Sequence, residues 1–151
     1  MDEPREIVES PEALVQRWLK GEVPATQLFG LSAEVAQSLA HHGYTLYEQG
    51  KYRRAQVIFE GLVAIDADNP DFQRMLASIY QMQGNWDAAY YRYTKVLASN
   101  PSDLFVLTNR GEVLLQLGRT QEAVEDLKKA VALDRQGAHP AARRARVLLG
   151  R

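Results

Sequence analysis

Apolar side chains recur along most of the chain at helical spacing, in blocks separated by glycine, proline and short polar runs. The pattern predicts helices over 33–49, 53–66, 70–83, 87–99, 102–117 and 121–134. Upstream, Ser10-Pro11-Glu12 has the order of a helix start: a capping hydroxyl, a proline at the first helical position and an acid in the first turn. Leu14, Val15, Trp18 and Leu19 then make one apolar stripe that stops at Gly21. Val23-Pro24 breaks regular structure, Leu28, Phe29 and Leu31 give the next short segment an apolar side, and Ser32 with Glu34 restarts a helix. Asn69-Pro70 and Asn100-Pro101 place a cap-type residue before a proline that suits a first helical turn and no helix interior. His139-Pro140 opens a last helix to about Leu149. Its Ala142, Ala145, Leu148 and Leu149 are expected to cover the preceding helices, with Arg143, Arg144 and Arg146 in water. No strand signal stands out.

The blocks repeat. Gly50 returns as Gly84 and Gly118, Ala55 as Ala89 and Ala123, and Phe59 as Tyr93 and Leu127. Gly43 returns as Ala77 and Gly111, and Leu46 as Tyr80 and Leu114. Small residues at Gly43 and Ala55 let two helices of a hairpin approach, Leu46 and Phe59 fill the space beside them, and Gly50 suits the left-handed residue between them. A period of about 34 residues resembles the tetratricopeptide repeat. The resemblance implies an all-α fold: a solenoid of three helix-turn-helix repeats, near 36–69, 70–103 and 104–137, with an N-terminal helix and a C-terminal capping helix at 138–150. Residues 1–10 are expected to be disordered, 11–31 to form the N-terminal helix and linker, and 32–151 the repeat domain. His42, Gln73 and Arg110 stand where the repeat is usually apolar, and Leu62 and Val96 where it is usually small. Either the units splay, or these side chains meet something outside the repeats.

Composition narrows the function by subtraction. The 151 residues carry a formal charge of −1, 46% hydrophobic and 25% charged residues, and no cysteine. Disulfides and thiol catalysis are excluded, and no global field recruits nucleic acid or an anionic membrane. No apolar run reaches the roughly 18–20 residues that span a bilayer, and Met-Asp-Glu-Pro-Arg-Glu lacks the apolar core of a signal peptide. The expected location is therefore the cytoplasm. His41 and His42 are neighbours with no ligand four residues on, so a helical metal pair is not formed. No nucleophile elbow, phosphate-binding glycine loop or paired-carboxylate arrangement occurs, and Asn100-Pro101-Ser102 is barred from glycosylation by its proline. The arginines at 143–146 read as a solvated helix face. Neither an enzyme nor a cofactor or metal is expected.

In tetratricopeptide arrays the first helix of each pair lines a concave surface. Carried onto this chain, that surface comprises Ala40, Tyr44, Tyr47 and Glu48, then Arg74, Ser78, Gln81 and Met82, then Phe105, Thr108, Glu112 and Leu115. Aromatic and apolar groups with scattered polar ones suit an extended peptide. The other reading of Tyr44 and Tyr47 is packing within the first repeat. The clamp by which co-chaperones of this family grip an acidic C-terminus is absent: its positions hold Ala40 and Tyr44, Met75, and Phe105 and Asn109.

Trp18-Leu19-Lys20-Gly21, Leu28-Phe29-Gly30-Leu31-Ser32 and the run Gly43-Tyr44-Thr45-Leu46-Tyr47-Glu48-Gln49-Gly50-Lys51-Tyr52-Arg53-Arg54-Ala55 resemble the entry to the class II type III secretion chaperones, which serve the translocator proteins. Similarity covers roughly 15–135 and extends to Glu112-Val113-Leu114-Leu115-Gln116-Leu117-Gly118. The resemblance implies a cytoplasmic, non-enzymatic chaperone that holds an extended segment of a hydrophobic translocator before secretion. It also implies a homodimer through the N-terminal region, with Val15, Trp18 and Leu19 in the contact. Capping of the first repeat is the other use of those three. Gln73, Arg74 and Gln81 make the second inner helix more polar than is usual there. The alternatives are a generic tetratricopeptide interaction scaffold and a needle-subunit chaperone.

Overall fold

The computed structural model describes residues 9–150, and every regular element among them is helical. In chain order these are α1 (Pro11–Leu19), a 3₁₀ turn (Ala25–Leu28), α2 (Ala33–Glu48), α3 (Tyr52–Ile65), α4 (Pro70–Met82), α5 (Trp86–Ser99), α6 (Leu104–Gln116), α7 (Thr120–Leu133) and α8 (Pro140–Leu149). Of the segment expected to be disordered, 1–8 lies outside the described residues. Ser10 caps α1, its Oγ accepting from the Ala13 amide at 3.2 Å.

Local chemistry sets the helix ends. Asn69 Oδ1 accepts from the amides of Asp71 (3.0 Å) and Phe72 (3.2 Å), which starts α4 at its proline. The third pair starts two residues later than the pattern predicts. Pro101 sits in a turn, and Asp103 takes the cap, its Oδ1 accepting from Val106 N at 3.1 Å. Each hairpin turns at a glycine with φ +73°, at Gly50, Gly84 and Gly118. A β-carbon there would be strained, so the glycine repeat is a backbone requirement.

At Gly43 and Gly111 the closest approach is to the residue one turn beyond the paired alanine, and at Gly111 the Ala123 carbonyl of the glycine–alanine pairing is also near, at 3.5 Å. A β-carbon on Gly43 would stand 2.7 Å from Phe59 and 2.9 Å from Ile58, and one on Gly111 would stand 2.7 Å from Leu127. Ala77, at the equivalent position of the second hairpin, is fully buried. Ala55, Ala89 and Ala123 are fully buried in the same seams.

One core runs through the stack from Val15 to Leu148. At its start, Val15 and Trp18 are buried rather than free, and the Trp18 indole lies over Gly61 of α3; Leu19 is half-buried. At its end, Ala141, Ala142, Ala145 and Leu148 bury α8 against α6 and α7. Two of the three unusual polar positions, Gln73 and Arg110, are satisfied inside the stack, so neither splaying nor an outside partner is needed to explain those two. Gln73 donates to Ala67 O at 2.7 Å and accepts from Arg92 at 3.3 Å. Arg110 forks onto Asp126 with bonds of 2.6 and 2.8 Å, beneath the Tyr90 ring. Only His42 among the three is exposed.

Candidate functional site

The first helices of the three hairpins, α2, α4 and α6, are continued by α8, and these four line one side of the stack. Helical spacing puts Tyr44 and Tyr47 of α2 on one face, where their rings stack at 6.5 Å and 28°; Tyr47 also meets Tyr52 at 5.6 Å. Tyr44 is 45% exposed, Met82 52% and Phe105 40%, so the surface keeps large apolar groups in water. Tyr47 and Leu115 are half-buried. Between α2 and α4 a cavity of about 300 Å³ opens among Ala40, His41, Tyr44, Phe72 and Met75. Between α6 and α8 a second, of about 180 Å³, opens among Phe105, Asn109, His139, Ala141 and Arg144.

A chain of polar contacts crosses the floor between these openings. The hydroxyls of Ser78 and Tyr93 pair at 3.1 Å, and Tyr93 donates to Gln81 Oε1 at 2.7 Å. Gln81 Nε2 donates to Glu112 Oε2 at 3.0 Å, and Glu112 in turn pairs with Arg144. Arg144 also donates to Asn109 Oδ1 at 3.0 Å. This relay fixes the Gln81 amide orientation and joins α4, α5, α6 and α8.

Electrostatics follow from placement. Burial pushes the Tyr93 phenol well above its ordinary value of 10.0, only partly offset by its Ser78 bond and by Arg144 and Arg74. Tyr47 is raised chiefly by burial, with Arg144 pulling the other way. Tyr44 is raised by the Glu48 carboxylate within reach of its hydroxyl. All three phenols are neutral donors near neutral pH, and none is poised for proton transfer.

Two residues expected on the groove wall are buried there, with Thr108 at the base of the α6–α8 cavity. Ser78 is committed to Tyr93 and buried, and Thr108 is 1% exposed, its Oγ1 donating to Ala141 O at 3.1 Å under α8. Arg74 reaches the surface but is tied to Asp71 at 3.2 Å and Asp103 at 3.3 Å, with its Nε buried and unpaired. Asn109, one of the clamp positions, and Arg144, read from the sequence as solvated, both belong to the floor. Of the three arginines read as solvated, Arg144 enters the groove, while Arg143 and Arg146 donate to carbonyls of the α7–α8 connection. The missed signal is register. Repeating the 34-residue step past the third unit lands on α8, which makes it a fourth inner helix rather than a plain lid.

Two family models, each described as tetratricopeptide repeat, match residues 46–107 and 105–136. Low calcium response locus protein H of Yersinia pestis is 26% identical over 113 residues, spanning 75% of this chain and 67% of that protein. The rice (Oryza sativa subsp. japonica) U-box domain-containing protein 70 is 32% identical over 100 residues, but these span only 12% of its length. Among solved structures, PcrH in complex with the chaperone binding region of PopD superposes with a TM-score of 0.76 at 29% identity, over 82% of this chain and 94% of that one. The Yersinia enterocolitica type III secretion translocator chaperone SycD shares the fold at a TM-score of 0.72 and 24% identity, over 80% and 91%.

Proposed function

This chain belongs to the tetratricopeptide-repeat family, and we propose that it is a type III secretion chaperone that holds an extended segment of a hydrophobic translocator on the α2–α4–α6–α8 face. The observation that carries the reading is the aromatic pair Tyr44–Tyr47, with Tyr44 exposed and Tyr47 half-buried, beside an open cavity, in a chain similar to a chaperone solved with a client segment bound. Aromatic groups left in water on one face are costly unless a partner covers them, and such anchors dominate interface energies. Met82, Phe105 and Leu115 offer further apolar contact, while Ala40 leaves the first cavity open. Gln81 and Glu112 hold the relay, and Arg74 stands between the cavities. On this reading the chain acts by binding.

The same reading gives location and assembly. No described helix is long and apolar enough to cross a membrane, and a chaperone that loads a client before export works in the cytoplasm. Homodimerisation is proposed through the N-terminal region. Because Val15 and Trp18 are buried within one chain, the surface available there is Leu19 and the 58%-exposed Phe29. The test is co-expression with a type III secretion translocator. The translocator alone should aggregate, and with this chain it should stay in the soluble fraction and co-purify. A translocator equally insoluble with and without the chain overturns the proposal.

A further inference from the structure

Two further cavities lie away from the inner row, along the edge where outer helices end and inner helices begin. The first, of about 440 Å³, opens among Ala67, Pro70, Gln73, Lys95 and Ala98. The second, of about 290 Å³, opens among Ala98, Pro101, Leu107, Arg110 and Lys129. Pro101, Leu107 and Lys129 stand 34 positions after Ala67, Gln73 and Lys95, so the two are the same edge in successive repeats, joined at Ala98. Neither shares a residue with the α2–α4 or the α6–α8 cavity.

In the first repeat this place is already taken. The position of Lys95 and Lys129 is there Gly61, and the Trp18 indole lies on it. The later copies are left open, and they carry charge. Lys95 and Lys129 are exposed, and neither joins an ion pair among the described residues. Asp68 lines the first cavity and Glu125 stands one turn before Lys129, yet neither pairs with a lysine. Arg110 adds no free charge, being held by Asp126. Beside the first cavity, the 53%-exposed Tyr91 ring carries the Lys95 ammonium at 5.1 Å and the Arg92 guanidinium at 5.2 Å.

We propose that this edge docks an acidic amphipathic helix of a second partner protein, distinct from whatever occupies the inner row. Apolar side chains of that helix enter the two cavities, and its carboxylates meet Lys95 and Lys129. Lysines without an internal acid, set beside part-apolar openings, are complementary to carboxylates bordering an apolar face. Tyr91 adds an exposed aromatic anchor at the same edge. A helix is the fitting occupant because α1 covers the matching place in the first repeat as one. The α1 of a second copy does not suit. Trp18 is buried in its own chain, and Arg17 and Lys20 would bring like charge to the lysines. Because the cavities of the edge and of the inner row are separate, both partners can be held at once.

The test is fluorescence anisotropy of the full chain with a labelled helical peptide that bears leucine and tryptophan on one face, flanked by glutamates. Its counterpart carries lysine in place of each glutamate. The acidic peptide should bind about tenfold tighter than the basic one, and Lys95→Glu with Lys129→Glu should reverse that order. Tyr91→Ala should weaken the acidic peptide about tenfold, the loss of one anchor. Ala98→Trp, at an exposed position between the cavities, changes no charge. It should abolish binding of the acidic peptide and still keep a translocator as soluble as the unaltered chain does. Tyr44→Ala with Tyr47→Ala should leave the acidic peptide bound as before. Equal binding of the two peptides, failure of both, or full binding by Ala98→Trp overturns the proposal and leaves the groove reading in place. Loss of the peptide in the tyrosine variant overturns it too, by putting the peptide in the groove. If Lys95→Glu with Lys129→Glu instead dissociates a dimer in sedimentation and leaves peptide binding unchanged, the edge is a subunit contact and the proposal falls.

Discussion

The indole of Trp18 lies in the space that any side chain on Gly61 would need. One repeat on, the same position is Lys95, and two repeats on it is Lys129. The outer helix of the first unit is therefore specialised to receive α1, and the later ones are not. This contact ties the N-terminal segment to the repeats, and it makes Trp18 a stability residue of the single chain before any role in assembly.

Replacing Trp18 by alanine should then destabilise the protein by about 3–5 kcal/mol, the usual loss for a large buried aromatic. Gly61→Leu should act in the same direction by expelling the indole. Chemical denaturation of both variants checks this, and an unchanged midpoint for Trp18→Ala would show that α1 does not dock.

Ala89 is fully buried where α4 and α5 approach. Ala89→Leu should cost about 1–3 kcal/mol through overpacking, read as a lower midpoint in denaturant. The exposed neighbour Asp87→Ala should move it by less than about 0.5 kcal/mol.

Arg110 and Asp126 form a mostly buried, two-pronged pair between α6 and α7. Removing one charge leaves the other without a partner, so Asp126→Ala should cost about 3–5 kcal/mol. Arg110→Met combined with Asp126→Leu should be markedly less destabilising than Asp126→Ala alone. A thermal-melting series of the three proteins decides it, and an additive loss in the double variant would contradict the pairing.

Much of this fold is legible in the residues because backbone needs restrict them. A turn at φ +73° wants glycine, a first helical turn tolerates proline, and a seam under Phe59 or Leu127 wants no side chain. These demands recur at one period, so the helices and their pairing can be read directly. What stays illegible depends on contacts between units. Ser78 and Thr108 look like groove polars from their helical phase, yet one meets Tyr93 and the other meets α8. Gln73 and Arg110 look out of place until Ala67, Arg92 and Asp126 are seen around them. Arg144 looks solvated because nothing in its own helix shows that α8 extends the inner row.

Asp134 organises the turn into α8, its carboxylate accepting from the His139 amide at 2.6 Å and the Gly137 amide at 3.1 Å. The His139 bond, with those of the following turn, holds its pKa below the ordinary 3.8. A carboxylate with a depressed folded-state pKa stabilises above its unfolded value, and that help is lost as pH falls through the folded one. Amide exchange in α8 should therefore accelerate selectively as pH drops below about 4, after correction for the intrinsic rate. In Asp134→Asn it should already be faster at neutral pH and show little further acid dependence. Identical corrected profiles in the two proteins would remove Asp134 from this role.

The most direct test of the central claim is the affinity of the full chain for a translocator segment that the proposed function would have it bind, measured by calorimetry with Tyr44→Ala combined with Tyr47→Ala. Loss of a hot-spot anchor commonly costs about 2 kcal/mol or more, so binding should weaken at least about thirtyfold while melting changes little. The control is Arg53→Ala with Arg54→Ala, two exposed positions on α3 away from the inner row, which should bind as the unaltered chain does. A tyrosine variant that binds within about threefold of the unaltered chain, or an arginine control that loses the client, would show that the concave face is not where the client sits.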